Sequence, residues 1–97
     1  MSDLRAELAE SVDEAQWNWL APHARRDSVI VIKPELDLVE VGVAIANDNT
    51  VLVQHWIEQD LIHKPYPAQL SDWNADLTKR FNALIIQPYV LVQEALG

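Results

Sequence analysis

Ser28-Val29-Ile30-Val31-Ile32-Lys33 sets four β-branched apolar residues in a row before Pro34 stops the run. Alternate side chains of a strand point to opposite faces, so this segment is apolar on both and predicts a strand that is well buried. Only one core is available to bury it. A chain of 97 residues is expected to fold as a single domain, residues 1–97, with a radius of gyration of about 13 Å. Hydrophobic residues make up 49% of the chain, which is globular rather than disordered composition.

Glycine is nearly absent. Gly42 is the one internal glycine, and the other is Gly97. Glycine-rich phosphate loops and the glycine-flanked nucleophile elbow are therefore excluded. With no cysteine, disulfides, thiolate zinc sites, iron–sulfur clusters and cysteine nucleophiles are excluded as well. The first residues are acidic with no apolar run behind them, and the longest apolar runs, Val41 to Ala46 among them, fall far short of the roughly 20 residues that span a bilayer. These features predict a cytoplasmic protein with no membrane partner.

Residues 3–20 predict an amphipathic helix. Asp3, Glu7, Glu10 and Glu14 fall in one sector, and Leu4, Leu8, Val12, Ala15 and Trp19 in another. Ser11 with Glu14 matches a capping box, which would divide the segment into two helices near Ser11. Pro22 ends this element or opens a short helical turn through Arg26. The stretch from Leu36 to Ala46 alternates like a strand, yet Asp37 with Glu40 forms a capping box and Leu36 with Val41 a hydrophobic staple, so a helix is expected. Gly42 within it costs about 1 kcal/mol relative to alanine and predicts close packing.

Asn47-Asp48-Asn49 predicts a turn, followed by a helix over residues 50–59 with Leu52, Val53, Trp56 and Ile57 inward and Val51, Gln54, His55 and Glu58 outward. A short strand at residues 61–64 closes at Pro65. A helix opened by Pro67 carries Leu70, Trp73 and Leu77 on one face, and residues 83–93 form a strand interrupted by Pro88. Trp19, Trp56 and Trp73 are expected in the core, and Trp17 beside the acidic stripe is expected to be partly exposed. The fold class is α+β, a small three-stranded sheet with four to five helices. Their order is winged-helix-like, with a helix inserted in the wing. That arrangement places the strand at residues 29–32 on the sheet edge, where its two apolar faces would need a second subunit as cover. The uncovered strand and Trp17 together predict a homodimer.

The segment Leu36-Asp37-Leu38-Val39-Glu40-Val41-Gly42-Val43-Ala44-Ile45-Ala46, the Val53–Ile57 helix with Trp56, the strand Leu61-Ile62-His63-Lys64-Pro65 and the tail Gln87-Pro88-Tyr89-Val90-Leu91-Val92-Gln93 resemble domain-of-unknown-function family 2288. The resemblance covers nearly the whole chain, a usual length for these small bacterial proteins. It implies no activity, cofactor or site residue.

Charge then divides the functional classes. The formal net charge is −8; residues 1–20 hold five acids against one arginine, and the stretch from Pro34 to His63 holds six carboxylates and no lysine or arginine. A helix-turn-helix at residues 37–60 without cations lacks the counterion-release term that drives DNA affinity. A nucleic-acid-binding regulator using that unit is the alternative reading, with Gln54 and His55 facing base edges. A small enzyme or metal-binding protein with a site at a dimer interface, built from His55, His63 and nearby carboxylates, is a second alternative. No metal-ligand or nucleophile signature is present, so no catalytic, cofactor-binding or metal residues and no cofactor are expected. The leading expectation is a non-catalytic protein-interaction or regulatory module that does not bind DNA. Its candidate surface is Asp3, Glu7, Glu10, Glu14, Trp17, Gln54, His55 and Glu58.

Overall fold

In a computed structural model of the protein, residues 3–95 are described. The elements are α1 (Leu4–Ser11), β1 (Asp13–Gln16), α2 (Trp17–Arg25), β2 (Val29–Ile32), α3 (Leu38–Ala46), α4 (Thr50–Glu58), β3 (Ile62–His63), α5 (Pro67–Asn74), β4 (Arg80–Ile86) and β5 (Tyr89–Glu94). The class is α+β, and the radius of gyration is 13.0 Å. The sheet has five strands rather than three, in the order β1-β4-β5-β2-β3. β2 runs parallel to β5 and antiparallel to β3, while β4 is antiparallel to both β5 and β1.

β2 is therefore internal, and the winged-helix-like placement at the edge does not describe this sheet. Its side chains alternate between two core clusters, one on each face of the sheet, where a single core is expected from the sequence. Val29 and Val31 join Trp17, Leu20, Trp73, Phe81, Val90 and Val92 beneath α2 and α5. Ile30 and Ile32 join Leu38, Val41, Trp56, Ile62, Leu84 and Leu91 beneath α1, α3 and α4. Helices on both faces thus cover the two-sided strand within one chain. The need for a partner subunit to cover β2 disappears.

The continuous helix over 3–20 is also corrected. Asp3 caps α1, its carboxylate accepting from the Ala6 amide at 3.3 Å. The helix stops at Val12, whose backbone is extended. Ser11 therefore ends a helix instead of starting one, and its hydroxyl donates back to the Glu7 carbonyl at 3.0 Å. Asp13–Gln16 then pairs with β4 from Asp13↔Ala83 to Gln16↔Arg80. Because α2 begins afresh at Trp17, its phase differs from that of a helix running through from Asp3. Trp17 is 1% exposed and Trp19 is 49% exposed, the reverse of the expectation. Trp17 stacks at tilted angles on Trp73 (5.0 Å) and Phe81 (5.7 Å), and its indole Nε1 donates to Asn74 Oδ1 at 2.8 Å. Pro22 lies inside α2 and does not end it.

α3 is the helix its start signals predict, with Asp37 accepting from the Val39 amide at 2.9 Å. The loop before it is anchored by Gln93 of β5, whose Nε2 donates to the carbonyls of Lys33 (3.0 Å) and Leu36 (2.8 Å). Pro88 sits in the turn of the β4–β5 hairpin, so residues 83–93 form parts of two strands. α5 ends at Asn74, which leaves Leu77 outside the helix and exposed.

Gly42 has the packing reason its cost implies. A Cβ there would lie 2.6 Å from Leu84 Cδ2 and 3.4 Å from Leu8 Cδ1, and Leu84 is fully buried. Gly42→Val should overpack this contact and destabilise the fold by about 1–3 kcal/mol. Urea unfolding checks this; unchanged stability would mean that α3 does not approach β4 this closely.

Candidate functional site

Three helices end in the same way. Asp27, Asp48 and Asp60 follow α2, α3 and α4 with φ of 64°, 56° and 58°. Such left-handed exits favour glycine, and aspartate is among the residues that tolerate them. In a chain with almost no glycine, each exit therefore carries a carboxylate. Two of these carboxylates, Asp48 and Asp60, line one concavity.

That concavity is an open groove of about 630 Å³ between the α3–α4 pair and the sheet. Its floor is Ile30 of β2 and Ile62 of β3, and one wall is Ala44 and Ile45 of α3. The other wall is α4, which contributes Thr50, Val53, Gln54 and Ile57. Asn49 sets the start of α4 by accepting from the Leu52 amide at 3.2 Å. Leu52 and Trp56 turn into the core, and Trp56 is buried. The apolar arc of α4 is wider than the core beneath it, so its edge is left over. Ile57, expected inside, is 49% exposed.

The far end of the groove has a polar cluster. Tyr66 donates its hydroxyl to the Asp60 carboxylate (2.5 and 2.6 Å), and Lys33 Nζ lies 3.4 Å from Asp60 Oδ2. The His63 and Tyr66 rings stack at 4.0 Å and 4°, and His63 Nδ1 lies 2.7 Å from the Lys64 carbonyl. Lys64, on the rim, is paired with Asp27. The Tyr66 hydroxyl, and behind it the Lys33 ammonium, hold the Asp60 carboxyl below the usual carboxylate range. The same hydrogen bond raises the Tyr66 phenol above its usual value. Near neutral pH, then, Asp60 is an ionised acceptor and Tyr66 a protonated donor.

The sequence-predicted surface is dispersed. Gln54 lines the groove, with His55 and Glu58 on the adjoining exposed face of α4; Gln54 Nε2 lies 3.5 Å from Glu58 Oε1. Glu7 and Glu10 are exposed on α1, and Asp3 caps it. Glu14 belongs to β1 and pairs with Arg80 at 3.3 Å. Trp17 lies in the opposite core. The acidic stripe does not form one surface with α4. His63 reaches the groove, whereas His55 is not among its lining residues. Sequence reasoning missed Ile30, Ile45, Val53 and Ile57 as groove residues; the signal available for α4 was an apolar arc too broad for one core contact.

Among the described residues, no helix is long and apolar enough to cross a membrane. Five of the seven lysines and arginines lie within 4 Å of a carboxylate: Arg5 with Asp37, Lys33 with Asp60, Lys64 with Asp27, Lys79 with Glu94, and Arg80 with Glu14. Arg25-Arg26 and Lys79-Arg80 thus do not form a shared set of free cations.

The Asp60–Tyr66 contact has a defined pH sense. A depressed carboxyl stabilises the fold above its unfolded-state pKa, and that contribution is lost as pH falls through the folded value. The raised phenol contributes below about pH 10, and its contribution is lost as pH rises through the folded value. Tyr66→Phe should move the Asp60 carboxyl up toward its ordinary value of about 3.9. An NMR titration of the Asp60 carboxyl carbon reads this, and an unmoved midpoint would contradict the contact.

Comparison with known proteins gives a family and a fold. Residues 3–94 match the family described as "Protein of unknown function (DUF2288)". The NMR solution structure of PA1075 from Pseudomonas aeruginosa is similar at 28% sequence identity and a TM-score of 0.82, covering 100% of this chain and 89% of that one. No curated protein matches the chain.

Proposed function

The chain belongs to the DUF2288 family, and on that footing we propose that it is a cytoplasmic, non-catalytic interaction module that binds a protein through the α3–α4 groove. The observation that carries this reading is the α4 wall. Thr50, Val53, Gln54 and Ile57 follow one another at i, i+3, i+4 and i+7, the spacing of a helix face made for packing, and the groove leaves that face open. An exposed apolar strip rimmed by polar residues is the usual anatomy of a binding surface.

The chemistry of the rim supports the same reading. General acid–base catalysis works best with a pKa near the working pH. Asp60 and Tyr66 are displaced in the opposite directions, each away from neutrality. Nucleic acid is disfavoured by charge. The helix pair has no lysine or arginine of its own, and of the basic pairs elsewhere Lys79-Arg80 is offset by the adjacent carboxylates of Glu94 and Glu14. Within the chain, β2 and Trp17 already have their cover, so the reading does not require a second subunit.

A photo-reactive benzoylphenylalanine at position 57, compared with one at the exposed Ala68 of α5, tests the groove in living cells. A discrete protein adduct specific to position 57 is expected. Equal adducts at both positions would contradict the reading. Fluorescence anisotropy with duplex DNA at low salt should show no saturable binding; micromolar affinity that falls steeply with salt would restore the nucleic-acid alternative.

A further inference from the structure

Resting on that reading of the groove, we propose that its occupant is a short, basic amphipathic helix of a partner protein. The shape points to a helix. From Thr50 to Ile57 the open face of α4 spans two turns, about 10 Å at 1.5 Å per residue. A helix laid beside it could insert apolar residues at its own i, i+3 or i+4, and i+7 positions between α4 and α3. Ala44 keeps the α3 wall low enough for close approach, and Ile30 and Ile62 supply an apolar floor. An extended peptide would need a strand edge to satisfy its backbone, and the edge that borders the groove is β3, which is two residues long and too short to template one, whereas a helix brings its own hydrogen bonds.

The charge points to a basic sequence. Asp48 and Asp60 stand at opposite ends of the α4 strip, each fixed by a left-handed helix exit. Glu58 lies one turn beyond Gln54 on the exposed side. Residues 34–63 contain no lysine or arginine. The lysine on the rim, Lys64, is engaged by Asp27, and Lys33 is engaged by Asp60. Lysines or arginines flanking the partner's apolar strip would therefore meet Asp48 at one end and Glu58, next to the already engaged Asp60, at the other. A second copy of this chain would bring the same net charge of −8 and set like charges against one another.

The test is a phage-displayed library of helix-forming peptides of about 15 residues, unbiased in charge, selected on the full chain. Each enriched sequence is then synthesised and titrated against the wild type, Ile57→Glu and Gln54→Arg. Both variants change exposed positions, and their amide NMR spectra establish folding. The expected pool has apolar residues at helical spacing and an excess of lysine and arginine. Its members should lose about tenfold or more in affinity on either variant and weaken as salt is raised. Groove-dependent binders that are neutral or acidic would overturn the basic helix while leaving the groove as a docking face. Groove-dependent binders without helical spacing would overturn the helix alone. An empty selection, or binders indifferent to both variants, would overturn the occupant and the docking face together.

Discussion

Covering Val29, Ile30, Val31 and Ile32 from both sides is the constraint on which the rest of the structure depends. A strand of this kind cannot stand at an edge or face water, so the chain brings β5 and β3 to its flanks and helices to both its faces. Each fully buried aliphatic side chain contributes roughly 1.5–3 kcal/mol, which makes this segment a principal source of stability. Gln93 adds precision to the arrangement. From β5, beside β2, it holds the two loop carbonyls that aim α3 at the sheet, and Gly42 lets α3 settle against Leu84.

The groove is a consequence of that packing. Once α1 and α3 lie over the sheet, α4 reaches the core through Leu52, Trp56 and part of Val53. The other edge of its apolar arc remains above Ile30 and Ile62. The near-absence of glycine adds charge to the same place. Helix exits that would commonly be glycine are aspartate here, and two of them stand at the ends of the exposed strip. One packing compromise and one compositional bias together produce an apolar channel with acidic ends.

How much of this could be read in advance varied with how local the cause was. The caps and staple of α3, the burial of β2 and the need for close packing at Gly42 are local, and their residues announce them. β1 is not. Asp13-Glu14-Ala15-Gln16 has good helix formers and becomes a strand because β4 offers it an edge to pair with. That tertiary event resets the helical phase and exchanges the roles of Trp17 and Trp19. The parallel pairing of β2 with β5 joins segments some 60 residues apart, and the four-residue strand itself says nothing about which neighbour it will meet. Of the candidate surface, only Gln54 lines the groove. Side-chain polarity had singled out exposed charges, while the site is made of apolar residues left over after the core was filled.

Amide hydrogen exchange tests the central claim, that β2 is locked between two helical layers and two strands in a single chain. The account predicts that the amides of Val29–Ile32 and of Val90–Val92 exchange only through global unfolding, with one common free energy, while the amides of the edge strand β1 exchange through smaller openings. Exchange of the β2 amides as fast as those of β1 would contradict it.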